Sequence, residues 1–392
     1  MRSKLLGHSA NDLFWFILPL VLPTLLIRYD LSYTQAGGIL TVYLAVTALF
    51  SFIMGKLSDR FSRRTILSYG FLLASAGLIT AGFAPSLAAF LLLMSITAVG
   101  VSTFHPVMYA VIDESYPERK GRVMGIYEVF GTTAILLMFL INGFLLQRIG
   151  VRGVLIITAL PGLAMGLTYR FTRVIPETEK AESSAAKPVE KPSRSDLVRF
   201  VLFLLSVILR VMSVTAVLNF LPTIFVSFFG FAPGSASYAT AFFFAGGIAG
   251  SLVVGKISDR INSFRILLTA TVFLVPSVLS LTLNLPHLLY PVVVALFGGF
   301  GSSCIINQNL LMSRLGKHLG KGEVFGILMG VMTITSSLSP ALFGLLIDNA
   351  GFKPAVMIFT VPLVLSTVLL LVLLKSDLPG KALPAEPAVA GV

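Results

Sequence analysis

The chain predicts an all-α membrane protein of twelve transmembrane helices in two six-helix, pseudo-symmetric halves. Three observations predict it. Of its 392 residues, 56% are hydrophobic and only 12% charged, and the mean hydropathy is +0.93. A soluble protein of this length needs a far more polar surface, whereas repeated apolar stretches of about 20 residues match the thickness of a bilayer. Next, Gly55-Lys56-Leu57-Ser58-Asp59-Arg60 returns two hundred positions later as Gly255-Lys256-Ile257-Ser258-Asp259-Arg260. Each copy closes one long apolar segment and precedes another. Finally, one polar stretch divides the apolar segments into two sets of six. A second internal match strengthens the duplication: Lys120-Gly121-Arg122-Val123-Met124-Gly125 against Lys321-Gly322-Glu323-Val324-Phe325-Gly326.

The apolar segments lie near residues 9–27, 36–54, 65–83, 87–112, 123–147 and 151–169, then 198–225, 236–255, 265–284, 288–312, 323–347 and 353–374. The first has no Ala-x-Ala cleavage site and reads as a retained span rather than a signal peptide. Its Pro19 and Pro23 bend a helix, which membrane helices tolerate when neighbours satisfy the freed carbonyls. The domain organisation follows: a half over 1–170, a cytoplasmic linker over 171–197, a second half over 198–375 and a tail over 376–392. The linker mixes Arg173, Glu177, Glu179, Lys180, Glu182, Lys187, Glu190, Lys191 and Arg194 with Ala, Ser and Pro, so it offers no apolar face.

The formal charge of +12 is placed, not diffuse. With both termini inside, the outer turns hold only Arg28, Arg148, Arg152 and Lys353, and the remaining Lys and Arg, apart from the mid-span Arg210, fall inside. This bias orients the chain with cytoplasmic termini in a cell membrane, and a prokaryotic cytoplasmic membrane fits the compact loops. Lipid headgroups therefore account for the basic charge without nucleic acid. Cys304, the single cysteine, excludes an intrachain disulfide and a Cys-rich metal site. Neither a metal nor a cofactor is expected, and no phosphate loop, metalloprotease His pair or serine elbow occurs in a supporting context, so an enzyme is not predicted. Both halves lie in one chain, so a monomer suffices.

Two charged turns at matching places in a twelve-span chain resemble the major facilitator superfamily over essentially the whole length. Gly55 to Arg64 resembles the family signature between spans two and three, and Gly255 to Arg265 its weaker counterpart. Three further segments resemble the fosmidomycin-resistance-like efflux branch: Gly7-His8-Ser9-Ala10-Asn11-Asp12, Phe104-His105-Pro106, and Gly125-Ile126-Tyr127-Glu128-Val129-Phe130-Gly131. Val107 and Glu128 depart from that branch, and span five lacks the Gly-Pro-rich pattern of drug–proton antiporters. The resemblance implies a major facilitator fold and alternating access.

The candidate residues have their own physical reasons. At the signature turn, Gly55 and Gly255 allow close helix approach. Asp59 and Asp259 can cap or pair at helix ends, while Arg60, Arg63, Arg64 and Arg260 can hold carboxylates or helix C-termini as a gate. The alternative is that these charges only set topology. Glu128 lies about 9 Å of helix rise into its span, too deep for an easy surface position. It reads as a proton or substrate site, or as the partner of a cytoplasmic arginine. His8, Asp12, Trp15 and Pro19 share one helix face by their 4-3-4 spacing. Asp12 can exchange protons and Trp15 can form an apolar platform. His105 precedes a proline that opens a helix, so it can reach a freed carbonyl or line a cavity. Arg210, near mid-span, can bind an anionic group or pair with an acid. Asn219, Asn307, Gln308 and Asn309 can line a cavity or join helices.

The expected function is secondary active transport of a small organic or amphipathic solute, exported against inward protons by a rocking of the two halves. An uptake symporter for an organic anion or metabolite is the alternative, and a membrane sensor without turnover is the third reading.

Overall fold

The structure, a computed structural model, describes residues 1–58, 60–116, 120–172, 175, 193–257, 261–315 and 321–375. Among them the fold is all-α. The helices are α1 (Arg2–Tyr29), α2 (Tyr33–Leu57), α3 (Arg63–Ala81), α4 (Leu87–Val101), α5 (Phe104–Ser115), α6 (Lys120–Phe171), α7 (Arg194–Phe229), α8 (Pro233–Ile257), α9 (Ser263–Leu279), α10 (Tyr290–Leu315), α11 (Lys321–Ala350) and α12 (Phe352–Lys375). Among the described residues, eleven helical segments are long and apolar enough to cross a membrane, with α4 and α5 together forming one of them, Leu87–Ile112.

Local chemistry sets the boundaries. Ser32 and Gln35 form a reciprocal capping box at the start of α2, and Ser62, Ser86, Ser193 and Asn262 cap α3, α4, α7 and α9. Gly230 ends α7 in the left-handed region (φ 70°), and Gly351 (φ 85°) separates α11 from α12. The first helix starts at Arg2, before the apolar run near residue 9, because its polar beginning is docked. Lys4 Nζ donates to Ser115 Oγ (2.8 Å), and Tyr169 Oη donates to the Ser3 carbonyl (2.8 Å).

The 52 residues of α6 would span about 78 Å if straight, more than twice the hydrocarbon thickness. They do not run straight. Gly150 adopts φ 64°, ψ −175°, a conformation open to glycine. Tyr127 stacks on His8 and Tyr169 bonds Ser3, so both arms of α6 return to the start of α1. The segment doubles back at Gly150.

Helices α1–α6 pack among themselves, as do α7–α12. The two sets meet where α2 runs along α11 and α6 along α8. A Cβ on Gly37 would fall on the Pro340 carbonyl, one on Gly344 on the Tyr33 carbonyl, and one on Gly234 on the Gly143 carbonyl. Glycine is what permits these approaches. Asp348, at the end of α11, accepts from the Tyr33 amide (3.0 Å), the Thr34 amide (2.7 Å) and the Thr34 hydroxyl (2.6 Å). It thus caps the N-terminus of α2, where a negative charge is favoured. Ser237 Oγ donates to the Phe139 carbonyl (2.6 Å) and the Ala341 amide to Thr41 Oγ1 (3.2 Å). The described hydrogen bonds that join the two sets therefore lie toward one face, away from the ends of α2, α5 and α8 that flank the charged turns. We call the latter the linker face.

Candidate functional site

The 4-3 spacing on α1 turns His8, Asn11, Asp12 and Trp15 toward α5 and α6. His8 is buried, with its ring stacked on Tyr127 at a centroid distance of 3.6 Å. Its Nδ1 lies 2.7 Å from the Tyr127 carbonyl. A carbonyl only accepts, so Nδ1 carries hydrogen, and Nε2 of the neutral ring is a bare acceptor. That Nε2 faces Asp12 Oδ2 at 3.3 Å and His105 Nε2 at 3.3 Å. His105 Nε2 lies 3.5 Å from Asp12 Oδ1.

The tautomer of His105 follows from Asn11. Trp15 Nε1–H can only donate, so the Asn11 oxygen is assigned to the side facing it, at 3.2 Å. The same oxygen lies 3.2 Å from His105 Nδ1, which must then carry hydrogen, while the Asn11 amide nitrogen donates to the Val101 carbonyl. Trp15 thus acts through a polar N–H, although its ring also packs edge-on to His105 (5.8 Å). Tyr109, one turn after His105, donates to Glu128 Oε1 (3.2 Å) and packs on His105 (5.6 Å). Gly131 makes room for the cluster, since a Cβ there would fall on Asp12 Oδ2. Glu128 sits one turn before it on the same face of α6 and is exposed. Its described partner is Tyr109 rather than an arginine.

The helical ladder is interrupted at Ser102-Thr103, one turn before Pro106, inside the single apolar span Leu87–Ile112 where both residues keep helical φ/ψ, so the proline opens the helix there. The missing N–H of Pro106 frees the Ser102 carbonyl, which accepts from Ser51 Oγ instead (3.3 Å). His105 is consequently held by side chains, with 23% of its own side chain exposed.

In the second helix set, Arg210 is buried in α7. Its Nη2 donates to Gln308 Oε1 (2.6 Å) and its Nη1 to Ser366 Oγ (3.5 Å). No carboxylate pairs with it among the described ion pairs. Asn219 and Asn307 are buried and donate to their own helices, at the Thr215 and Ser303 carbonyls (2.8 Å each). The side-chain oxygens of Asn307 and Asn309 have no hydrogen-bond partner among the described residues. The structure does not bring Arg210, Asn219 or Asn307 into contact with the His8–Asp12–His105 cluster. Cys304 is a buried free thiol beside Thr271.

At the linker face, Arg63 grips Glu114 with two bonds, Nη1 to Oε2 (2.5 Å) and Nη2 to Oε1 (2.9 Å). The hydrogen bond from Arg63 holds the Glu114 carboxyl below its ordinary range, opposed by partial burial. Arg64 donates to the carbonyls of Tyr169 (2.7 Å) and Arg170, at the C-terminal end of α6. Gly55 passes Pro106 at ordinary contact, and Arg60 is exposed. Gly255 lies in α8, whereas Asp59, Asp259 and Arg260 lie outside the described residues.

Glu114, Tyr109, Tyr127 and Asn11 escape the sequence reading as site residues. Tyr109 had a signal, since it follows His105 by one helical turn. Glu114 had a weaker one, as an acid just before the basic run Arg119–Arg122.

Together, two imidazoles, two carboxylates and a phenol within one membrane-spanning helix set can take up, pass on and release a cation. Known proteins show the same architecture. The profile of the Major Facilitator Superfamily matches residues 5–322 and 203–390. A candidate niacin/nicotinamide transporter of Bacillus subtilis (strain 168) is 30% identical over 194 residues, so the alignment spans only 47% of each chain. The fosmidomycin resistance protein of Escherichia coli (strain K12) is 22% identical over 356 residues, 89% of this chain and 86% of that one. The crystal structure of a bacterial homologue of the human lysosomal transporter Spinster, inward-facing and occupied, superposes with a TM-score of 0.76 at 17% identity, covering 98% of each chain. The chain therefore belongs to the Major Facilitator Superfamily and is a multi-pass secondary transporter.

Proposed function

We propose that this transporter exports a small organic or amphipathic solute in exchange for protons. The reading counts α6 as two crossings, joined at Gly150, which makes twelve in two halves. It places the linker face in the cytoplasm, in keeping with the Lys and Arg distribution. The contacts of α2 with α11 and α6 with α8 then close the outer side, and the Asp348 cap is part of that closure.

One observation carries the coupling: Asp12, His8, His105, Tyr109 and Glu128 converge within the span region of the first half. Charged groups there are expensive unless they serve a pathway. Protonating Glu128 or Asp12 changes the cavity charge and biases the two states, which couples proton and solute when their affinities differ between those states. Arg63 and Arg64 brace the linker face of the first half, and rearranging that brace accompanies opening. The alignment with the fosmidomycin resistance protein along most of both chains supports export.

The test is transport in proteoliposomes with an imposed proton gradient, a panel of metabolites and drugs, and a Glu128→Gln comparison. Solute moving opposite to protons, and impaired by Glu128→Gln, supports exchange. Movement with the protons refutes it.

A second reading has its own observation. Arg210 is a buried cation without a carboxylate partner among the described residues, which favours an organic anion as the solute and uptake as the direction. The same experiment distinguishes the two by the direction of flow.

A further inference from the structure

We propose that His8, Asp12 and His105 form a binding site for one divalent transition-metal ion of the zinc class. No ligand spacing along the chain points to it, because the two histidines lie far apart.

The Tyr127 carbonyl fixes hydrogen on His8 Nδ1, and the Asn11 oxygen, itself fixed by Trp15, fixes hydrogen on His105 Nδ1. Each neutral imidazole then points a bare Nε2 at the other, 3.3 Å apart, and both point at the Asp12 carboxylate, at 3.3 and 3.5 Å. With Asp12 ionised, three lone-pair donors converge with no hydrogen between them. That arrangement is repulsive unless something positive sits in the middle.

The spacing matches a metal. Zinc–nitrogen bonds of about 2.0–2.1 Å in tetrahedral geometry separate two ligand nitrogens by about 3.3 Å, with the nitrogen–oxygen edge similar. The three candidate ligand atoms all lie within 4.8 Å of one another. Their outer partners are also those that metal-bound histidines use. One Nδ1–H goes to a backbone carbonyl and the other to a side-chain amide, which orients each ring and fixes its tautomer. Two histidines and one carboxylate leave a coordination position open, and the 23% exposure of the His105 side chain and 13% of that of Asp12 give an entry path. The ring packing holds the geometry, with His8 stacked on Tyr127 and His105 edge-on to Trp15 and Tyr109. Nitrogen-rich ligands select this class of metal over magnesium or calcium, which take oxygen.

The inference concerns binding alone and stands apart from the direction and coupling proposed above. Purified, tag-free, chelator-stripped protein in detergent would be titrated calorimetrically with zinc chloride, without any gradient. We expect saturable binding of one ion per chain, weakened at least about tenfold by His105→Gln and by Asp12→Asn. His287→Ala, on an exposed turn outside the cluster, would leave it unchanged. Cobalt(II) added to the parent protein should give the intense visible bands of four-coordinate geometry. This arm needs no variant, so a substitution that fails to fold does not spoil the test. Absence of one-to-one binding, a six-coordinate cobalt spectrum, or undiminished binding in both variants would overturn the proposal, leaving the three groups to share only a proton.

Discussion

The repeated turn is the same backbone device in both halves but not the same side-chain device. Ser62 caps α3 by accepting from the Thr65 amide, and Asn262 caps α9 by accepting from the Phe264 amide. Beyond the cap the copies part. Arg63 and Arg64 bind Glu114 and the end of α6, whereas the matching positions hold Ser263 and Phe264, both buried. The deep polar residues diverge further. The first half gathers carboxylates, imidazoles and a phenol; the second holds Arg210 among an amide and a hydroxyl. Repetition has kept what a helix start requires, while the buried and partly buried polar side chains differ between the two helix sets.

The sharpest way to break this comparison is to exchange the roles of its two deep charges. Glu128→Gln should lower gradient-driven flux about a hundredfold, on the scale of losing an essential proton-transfer group, while solute counterflow persists. Arg210→Gln should lower both. Equal effects on flux and counterflow in the two variants would erase the division of labour.

The next effect concerns the contact between the halves. Gly37→Leu or Gly344→Leu forces a side chain onto a backbone carbonyl of the facing helix. Overpacking of this kind costs about 1–3 kcal/mol, enough to shift a two-state balance severalfold or more. Spin labels at positions 32 and 349 should report a longer separation than in the parent. An unchanged separation would mean that the α2–α11 contact does not set the state.

The helix caps should then behave alike. Ser62→Ala and Asn262→Ala each remove one cap bond, at about 1 kcal/mol. Thermal unfolding in detergent should show similar losses, and a large difference would deny that the backbone device is shared.

Arg63→Ala should be the smallest loss at neutral pH. Almost half of the Glu114 side chain is exposed, so screening limits the pair to about 0.5–1 kcal/mol. Its pH dependence has a definite sign. The folded carboxyl titrates below its unfolded value, so the pair stabilises fully above the unfolded value of about 4.3 and loses its effect as pH falls through the lowered one. The stability gap between parent and Arg63→Ala should therefore narrow in acid. A gap that widens there would exclude the Arg63–Glu114 bond as its source.

The site was legible in fragments. The shared face of His8, Asp12 and Trp15 is local to one helix, and Arg64 meets a helix end as an arginine at such a turn can. The partners were not legible. Glu114 is 51 positions from Arg63, Tyr127 is 119 from His8, and Gln308 is 98 from Arg210. Arg210 could have met an acid on the sequence reading; it meets an amide and a hydroxyl instead.

By itself the sequence determined the membrane as solvent, the apolar segments, the duplicated turn and the distribution of bases. These are properties of composition and short spacing, set by what lipid and water each accept. Only the tertiary structure decided that the Ser102 carbonyl freed by Pro106 goes to Ser51, and that two imidazoles and a carboxylate aim their lone pairs at one point. Those outcomes depend on how helices distant in sequence cross and on which donor fixes each proton, and no pattern along a single helix carries that information.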